Sequence, residues 1–597
     1  MAGFEDEQKK DAKEDGTDFL KFDDIMCFIG EFGPYQIKIV CLVCLIGIPV
    51  AANNLSQVFF TQPSDHWCAV EEWKDDVDAC MDLLTNQKAY LDCLYRYRNS
   101  SIPIEETDDG KSYAQCAKYD VDYGVWEASF WAGNATNETI ECDEGWVHDS
   151  YEYQRTIISD FDLVCDQKTA ADLAQSIYFA GVLFGSFVMG SLSDIIGRRV
   201  SLILTVSLVI IFQIAASFAP SFWSYCTFRF FVGAFNIGGF LLAFVIVTEL
   251  VGPSKRVYTG IIIQLFYAVG AMLLTLFGYL IRNWRVLQLT IMALFVLCYF
   301  TFPFVPESAR WLVVKSKYDK AEKIINKMAK GNKATDKLPA NYMSKVKKWN
   351  DAQTSEESNV RNPSFIDLFR TPNLRTTTVN LMYNWAVCSM VYYGLSLSTS
   401  DLGGNIYISF FISGAVEVPA YLLCIPAIES PLGRRYSTSA FQLLAGVACL
   451  ITIVIPIGPW KTTVAMIGKF GVSASFALVY IYAAEVFPTP LRSVGVGICS
   501  TSSRIGGILS PLILLLDEVW EPLPLIIFGL SAILGGSLVL LLPETRGKDL
   551  PETIEEGELF NSRKSTKSKE DVEKEAVHKT ENGNYLNPGF EKEDEIQ

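Results

Sequence analysis

Apolar stretches of about 20 residues, long enough to cross a hydrocarbon core ~30 Å thick, recur twelve times along this chain. They fall at roughly 34–55, 170–191, 200–219, 223–251, 258–281, 285–305, 378–399, 405–428, 436–457, 462–485, 490–516 and 521–542. A positive mean hydropathy, with 38 Phe, 26 Tyr and 12 Trp, agrees that the solvent for most of the chain is a bilayer. The expected fold class is an all-α membrane protein with twelve transmembrane helices.

The formal charge of −17 is unevenly spread. Residues 56–169 hold 24 Asp+Glu against 8 Lys+Arg, whereas residues 306–377 hold 15 Lys+Arg against 8 Asp+Glu. Short links carry further bases: Arg198, Arg199, Lys255, Arg256, Arg434, Arg435 and Arg492. Positive residues stay cytosolic, so both termini are expected inside and 56–169 outside. The first 33 residues are acidic and the first apolar run has full span length, so span 1 itself is expected to act as the signal.

The division that follows is a cytosolic segment 1–33, span 1 at 34–55, and an extracellular loop 56–169. Then come the rest of a first six-helix bundle at 170–305, a cytosolic link 306–377, a second bundle at 378–542 and a cytosolic tail 543–597. The extracellular loop carries Cys68, Cys80, Cys93, Cys116, Cys142 and Cys165, which suits disulfides in an oxidising compartment. Their connectivity is left open, since six cysteines can pair in many ways. N-glycan acceptor sequons begin at Asn99, Asn134 and Asn137, and a fourth at Asn54 lies too close to span 1 to be used. In the link, Ser316–Lys330 sets Ala321, Ile324, Ile325 and Met328 on one face among lysines, an amphipathic helix expected under the bundle. The tail beyond about 556 is polar and expected to be disordered, with Asn587-Pro588-Gly589-Phe590 a candidate adaptor-binding turn.

The two halves repeat. Gly197-Arg198-Arg199 returns as Gly433-Arg434-Arg435 after 236 positions, and Glu249 with Arg256 returns as Glu485 with Arg492 at the same offset. Pro306-Glu307-Ser308 returns as Pro543-Glu544-Thr545 after 237. Two six-span halves in parallel, with a substrate site between them near the midplane, are the major facilitator arrangement.

A charge within a span costs about 2.5–3.5 kcal/mol on insertion scales and needs a reason. Four stand out: Arg229 in span 4, Glu417 in span 8, Lys469 in span 10 and Arg504 in span 11. Arg504 shares a small, polar face with Ser500, Ser503, Gly507 and Pro511, and Glu417 follows Ser409 and Ser413 at four-residue steps. The guanidinium and the carboxylate are placed to meet opposite ends of a zwitterion or to pair with each other. Span 7 adds Asn384, Trp385, Cys388, Tyr392, Tyr393 and Ser396, span 5 Gln264 and Tyr267, span 4 Phe240, and span 10 Phe476 and Tyr480. Aromatic faces stabilise cations within ~6 Å of the ring centre. At the cytosolic span ends, Asp194, Arg198, Arg199, Glu249 and Arg256 and their counterparts Arg434, Arg435, Glu485 and Arg492 are assigned to gating, as ion pairs that break and re-form.

Catalysis finds no support. No phosphate loop is present, since Gly110-Lys111-Ser112 lacks its leading glycine, and His66, His148 and His578 have no metal-ligand spacing. No metal and no cofactor are expected, and transport must draw on a gradient, with sodium as a possible coupling ion.

GSLSDIIGRR after span 2, PESARWL after span 6 and PETRG after span 12 resemble major facilitator signatures shared with sugar porters. FDDIMCFIGEFGPYQ before span 1, DFDLVCD before span 2 and GKFGVSASFALVYIYAAEVFPTPLRSVGVG through spans 10 and 11 resemble the organic cation, carnitine and organic anion transporters, over residues from about 19 to 556. The resemblance implies that the position of Arg504 is aspartate in simple cation transporters and arginine in carnitine and anion members. It also implies that the acid of AVEVPAY, Glu417, is typical of cation and carnitine members, which favours the zwitterion-handling branch. Phe240, Gln264, Tyr267, Trp385, Tyr392 and Glu417 match positions lining the central cavity of relatives, with Phe240 standing where many carry tryptophan or tyrosine. The expected function is alternating-access transport of a carnitine-like cation or zwitterion across the plasma membrane. Alternatives are an organic anion exchanger, a non-transporting surface receptor, and a sugar porter, the last disfavoured because LMYNWAVCSMVYYG in span 7 lacks paired glutamines.

Overall fold

The computed structural model describes residues 19–560 except 84–85, 108–109, 122, 124–137, 152, 358–363, 400–402, 549 and 552. Asn134, Asn137, His578 and the candidate turn at 587–590 lie outside the described residues.

Each predicted span is a helix. The first half contains α1 (Pro34–Leu55), α2 (Ala170–Ile196), α3 (Arg198–Ser217), α4 (Phe222–Leu250), α5 (Arg256–Leu280) and α6 (Trp284–Tyr299). The second contains α7 (Pro372–Leu397), α8 (Ile406–Glu429), α9 (Gly433–Val454), α10 (Pro459–Val486), α11 (Arg492–Leu514) and α12 (Leu523–Val539). Among the described residues nine of these are long and apolar enough to cross a membrane. The other three are α6 and α12, which are apolar but have 16 and 17 residues, and α7, whose 26 residues include Asn373, Thr376, Thr377, Thr378, Asn380 and Asn384. α1 breaks at Leu45–Ile46, four residues before Pro49, which has no N–H to return to the Leu45 carbonyl.

Within the first half α2 packs on α4 and α4 on α3; within the second α7 packs on α11 and α9 on both α10 and α12. Small residues allow this, since a side chain at Gly181 or Gly185 of α2 would run into the backbone of α4 at Phe230 and Ala234. The halves meet along two seams, α2 against α11 and α5 against α8.

One end of the bundle carries the 56–169 segment. It forms three two-stranded antiparallel sheets and the helix Gln87–Ser101, held by the disulfides Cys68–Cys142, Cys80–Cys93 and Cys116–Cys165. Asn99 is exposed on that helix. The loop is fastened to α6 through Asp160, whose carboxylate accepts from Arg155 at 2.8 Å, Trp284 Nε1 at 2.8 Å and Arg285 at 2.9 Å.

The link packs at the opposite end. Its helix Tyr318–Gly331 buries Ala321, Ile325, Met328 and Ala329 against the first half. Asn332 then grips the first turn of α1: its side chain accepts from the Tyr35 N–H at 3.1 Å and donates to Gln36 at 2.7 Å and to the Ile29 carbonyl at 2.9 Å.

The repeat is visible in three dimensions at this link end. Arg198 pairs with Glu249 at 3.1 Å and Arg434 with Glu485 at 3.0 Å. The Glu307 carboxylate accepts the backbone N–H groups of Arg198 at 2.8 Å and Arg199 at 3.1 Å, opening α3. Glu544 does the same for Arg434 and Arg435 at 3.0 Å each, opening α9.

Candidate functional site

The mid-span charges of the second half fall on neighbouring helices. On α8, Glu417 is buried; Tyr392 from α7 donates its hydroxyl to Oε1 at 2.7 Å, and Tyr421, one turn further along α8, donates to Oε2 at 3.1 Å. Pro419 sits two residues on, inside the helix, so the Ala415 carbonyl lacks its regular helical donor. The Lys469 ammonium on α10 lies 3.2 Å from Glu417 Oε1 and 3.2 Å from the centre of the Tyr392 ring. It also donates to the Tyr392 carbonyl at 3.2 Å and to the Ser396 hydroxyl. Glu417 is therefore not paired with Arg504, as one sequence expectation had it; Lys469 takes that place.

Arg504 on α11 keeps its charge to itself. Nη1 donates to the Ser503 hydroxyl at 2.7 Å, Nε has no partner, and no carboxylate lies within 4 Å among the described residues. The guanidinium is nine-tenths buried, at 9% exposure, in the polar stripe with Ser503 and Gly507, while Ile505 and Leu509 of the same helix face outward.

Four of the predicted aromatics form one cluster. Trp385 lies 4.0 Å from Tyr480 and 6.3 Å from Phe476, and Phe476 lies 5.6 Å from Tyr480 and 6.2 Å from Tyr392, centre to centre. The buried Trp385 Nε1 has no acceptor. In the first half Phe240 meets Tyr267 edge to face at 6.0 Å, and Gln264 is half-buried on α5.

Tyr267 leads into a polar network that the sequence reading missed. Its hydroxyl accepts from Asn54 at 3.1 Å; Asn54 Oδ1 accepts from Tyr178 at 2.5 Å and Asn236 at 2.9 Å. Arg229 lies beside it, donating to the Asn53 carbonyl at 3.1 Å and the Ser56 hydroxyl at 2.9 Å. The available signal was the pair Asn53-Asn54 near the end of an apolar span and Asn236 in the middle of another.

Several contacts between the halves lie toward the end that carries the disulfide loop. Phe179 of α2 lies 4.5 Å from Tyr393 of α7, and Ser176 donates to the Ile508 carbonyl at 3.3 Å. Phe59 meets Tyr407 at 5.8 Å and Phe410 at 5.1 Å, and Lys168 pairs with Glu518 at 3.4 Å. Among the described residues, the charged groups assigned to gating make their contacts within one half and do not bridge the two. Asp194 pairs with Arg198 at 2.8 Å; Arg256 pairs with Asp23 at 2.7 Å and Arg492 donates to Thr489 at 3.3 Å, neither reaching the glutamate seven residues before it. The reason is the break at Pro253–Lys255 and at Thr489–Leu491, which turns the chain between acid and base.

The comparisons with known proteins decide the family. The family "Sugar (and other) transporter" matches residues 130–556. The chain is 38% identical over 551 residues to the organic cation transporter protein of Drosophila melanogaster, covering 91% of this chain and 96% of that one. This chain belongs to the major facilitator transporters, within the organic cation transporter family. Human organic cation/carnitine transporter 2 is 34% identical over 555 residues, with 90% and 93% covered, and mouse solute carrier family 22 member 3 is 36% identical over 569 residues, with 91% and 96% covered. The fold is that of the proton:xylose symporter XylE, matched with a TM-score of 0.55 at 14% identity over 88% of this transporter and 99% of the symporter.

Proposed function

We propose that this transporter moves a small organic cation or zwitterion, carnitine-like in carrying a quaternary ammonium and a carboxylate, across the plasma membrane by alternating access. The observation that carries the reading is the buried Glu417–Lys469 pair beside the Trp385–Tyr392–Phe476–Tyr480 cluster, with Arg504 a further buried cation, without a carboxylate partner among the described residues, on α11, which packs on α7. A substrate ammonium competes with Lys469 for the Glu417 carboxylate and is received by aromatic faces, which attract cations most when desolvated. The substrate carboxylate meets Arg504, whose planar fork suits a carboxylate. Phe240, Gln264 and Tyr267 complete the wall from the first half.

On this reading the disulfide loop is extracellular and the link and both termini are cytosolic, in keeping with the excess of Lys and Arg in the link. The halves rock about the α2–α11 and α5–α8 seams. The glutamate-held turns at Arg198 and Arg434 keep each half rigid while they do so, and gating falls to contacts such as Phe59–Tyr407 and Lys168–Glu518. No bound cofactor is required; a substrate or ion gradient supplies the drive, and sodium is the candidate coupling ion.

The test is uptake of labelled carnitine, a simple cation and a simple anion in parallel, in sodium and in potassium media, by cells carrying the wild type or Arg504→Asp. Charge reversal should shift preference from zwitterion toward plain cation; unchanged selectivity in protein that reaches the surface overturns the role of Arg504. A second reading, organic anion exchange, is favoured by one observation: Glu417 is paired with Lys469, whereas the buried Arg504 has no carboxylate partner among the described residues. Inhibition by dicarboxylates but not by quaternary amines would select it.

A further inference from the structure

Each half buries a cation well inside its fourth helix. In the second half Lys469 of α10 reaches helices α7 and α8, and α8 supplies a carboxylate, Glu417, at 3.2 Å. In the first half Arg229 of α4 sits among the corresponding helices, α1 and α2, held by the Asn53 carbonyl and Ser56 hydroxyl of α1. The Tyr178 ring of α2 lies 4.5 Å from its guanidinium carbon and the Phe60 ring 5.6 Å. Arg229 is fully buried, at 0% exposure, yet no carboxylate lies within 4 Å among the described residues. Its Nε and Nη1 have no acceptor.

Hydrogen bonds to neutral oxygens and the negative faces of two rings reduce the cost of such a charge but do not cancel it. Only one of the three guanidinium nitrogens is satisfied by protein, and Arg229 keeps its proton at any pH a cell meets. The neighbours offer no relief: Asn53, Asn54, Gln57, Tyr178 and Asn236 are all neutral; Asn53, Asn54, Tyr178 and Asn236 are engaged with one another, and Gln57 with Tyr225 and the Ala171 carbonyl. Water would satisfy the free N–H groups without answering the charge, whereas a small anion does both.

We propose that Arg229 anchors a small-anion site between α1, α2 and α4, occupied by chloride, that does for the first half what Glu417 does for the second. Chloride is the counter-ion of a structural cation, and this site is separate from Arg504. The site makes the stability of the transporter depend on the anion in the medium, since a ligand that binds only the folded state raises its melting point by mass action.

The test uses the purified full chain in detergent, melted in sodium chloride and in sodium gluconate at equal ionic strength. Gluconate is a far bulkier anion than chloride and serves as the control. The wild type should melt higher in chloride, by about 2 °C or more, with a saturable dependence on chloride concentration. Ser56→Asp puts a carboxylate where the Arg229-bound hydroxyl lies, and should melt alike in both salts. Arg504→Gln should keep the chloride increment of the wild type. Equal melting of the wild type in the two salts overturns the proposal and leaves water as the partner of Arg229. Loss of the increment in Arg504→Gln overturns it by moving the site to α11. Should Ser56→Asp not fold, Asn53→Asp serves in its place, and the wild-type comparison stands without either.

Discussion

The least forgiving residues in this chain are charges held away from water. Breaking a buried ion pair by removing one partner costs about 3–5 kcal/mol, because the survivor keeps its desolvation penalty. Glu417→Gln should therefore lower the melting point sharply by leaving Lys469 without its counter-charge. The double variant Glu417→Gln/Lys469→Met should regain much of the loss while still failing to take up cations. Melting of purified protein beside uptake in cells separates the two effects. Glu417, Lys469, Arg504 and Arg229 were each legible in the sequence, since a charge in an apolar run is conspicuous. Their partners were not. Sequence periodicity gives the face of a helix, not which helix lies opposite, so Arg504 was as good a partner for Glu417 as Lys469 until α8 and α10 were seen side by side. The Arg229 network escaped for a related reason: Asn53, Asn54, Asn236 and Tyr178 are neutral, and a neutral amide in a span draws less notice than a charge.

At the scale of elements, two features carry predictions. The turns into α3 and α9 place Gly197 at φ 106° and Gly433 at φ 66°, a region that costs residues with a Cβ roughly 1–2 kcal/mol. A Cβ at Gly197 would also lie 2.7 Å from a Glu307 carboxylate oxygen and one at Gly433 2.6 Å from the Glu544 carboxylate. Gly197→Ala and Gly433→Ala should thus each lower thermal stability, and by similar amounts, as read from melting of the purified variants. The repeat in the sequence announced both turns; that the glutamates of PES and PET cap the following helices did not show, because the capping group comes from more than a hundred residues away. In the disulfide loop, strands His66–Cys68 and Trp146–His148 pair with His66 opposite His148. Burial holds the His66 pKa below its ordinary 6.5, the Ser64 carbonyl opposes that, and His148 adds to it. The unfolded chain then binds the proton more readily than the folded one, so stability contributed here is present above about pH 6.5 and is lost as pH falls below it. The protection factors of the strand Trp146–His148 amides, corrected for the intrinsic exchange rate at each pH, should fall between pH 7 and 5.5, and His66→Phe should flatten that response.

For the whole molecule, a helix at each apolar stretch, the two matched halves and the covalently stapled loop could all be read from hydropathy, spacing and cysteine placement. The pairing of the cysteines could not, since it depends on how the loop folds; peptide mapping without reduction should recover Cys68–Cys142, Cys80–Cys93 and Cys116–Cys165 and no other pairs. Nor could the conformation be read, because a sequence encodes every state of a two-state carrier at once. The seam contacts Ser176–Ile508 and Phe179–Tyr393 make that point testable. A cysteine pair at 176 and 508, oxidised, should arrest uptake, and reduction should restore it; uptake undiminished by oxidation would mean that this seam does not open during the cycle.

The grip of Asn332 on Tyr35, Gln36 and Ile29 makes the rocker lopsided. The connecting peptide belongs mechanically to one half, and slack between the halves can lie only beyond it. A kinase, a lipid or a bound protein that tugs on helix Tyr318–Gly331 would pull on the first turn of α1, the same helix whose far turn offers Asn53 and Asn54 to Arg229 and Tyr267. What looks like a tether is also a handle on the helix that carries those two amides.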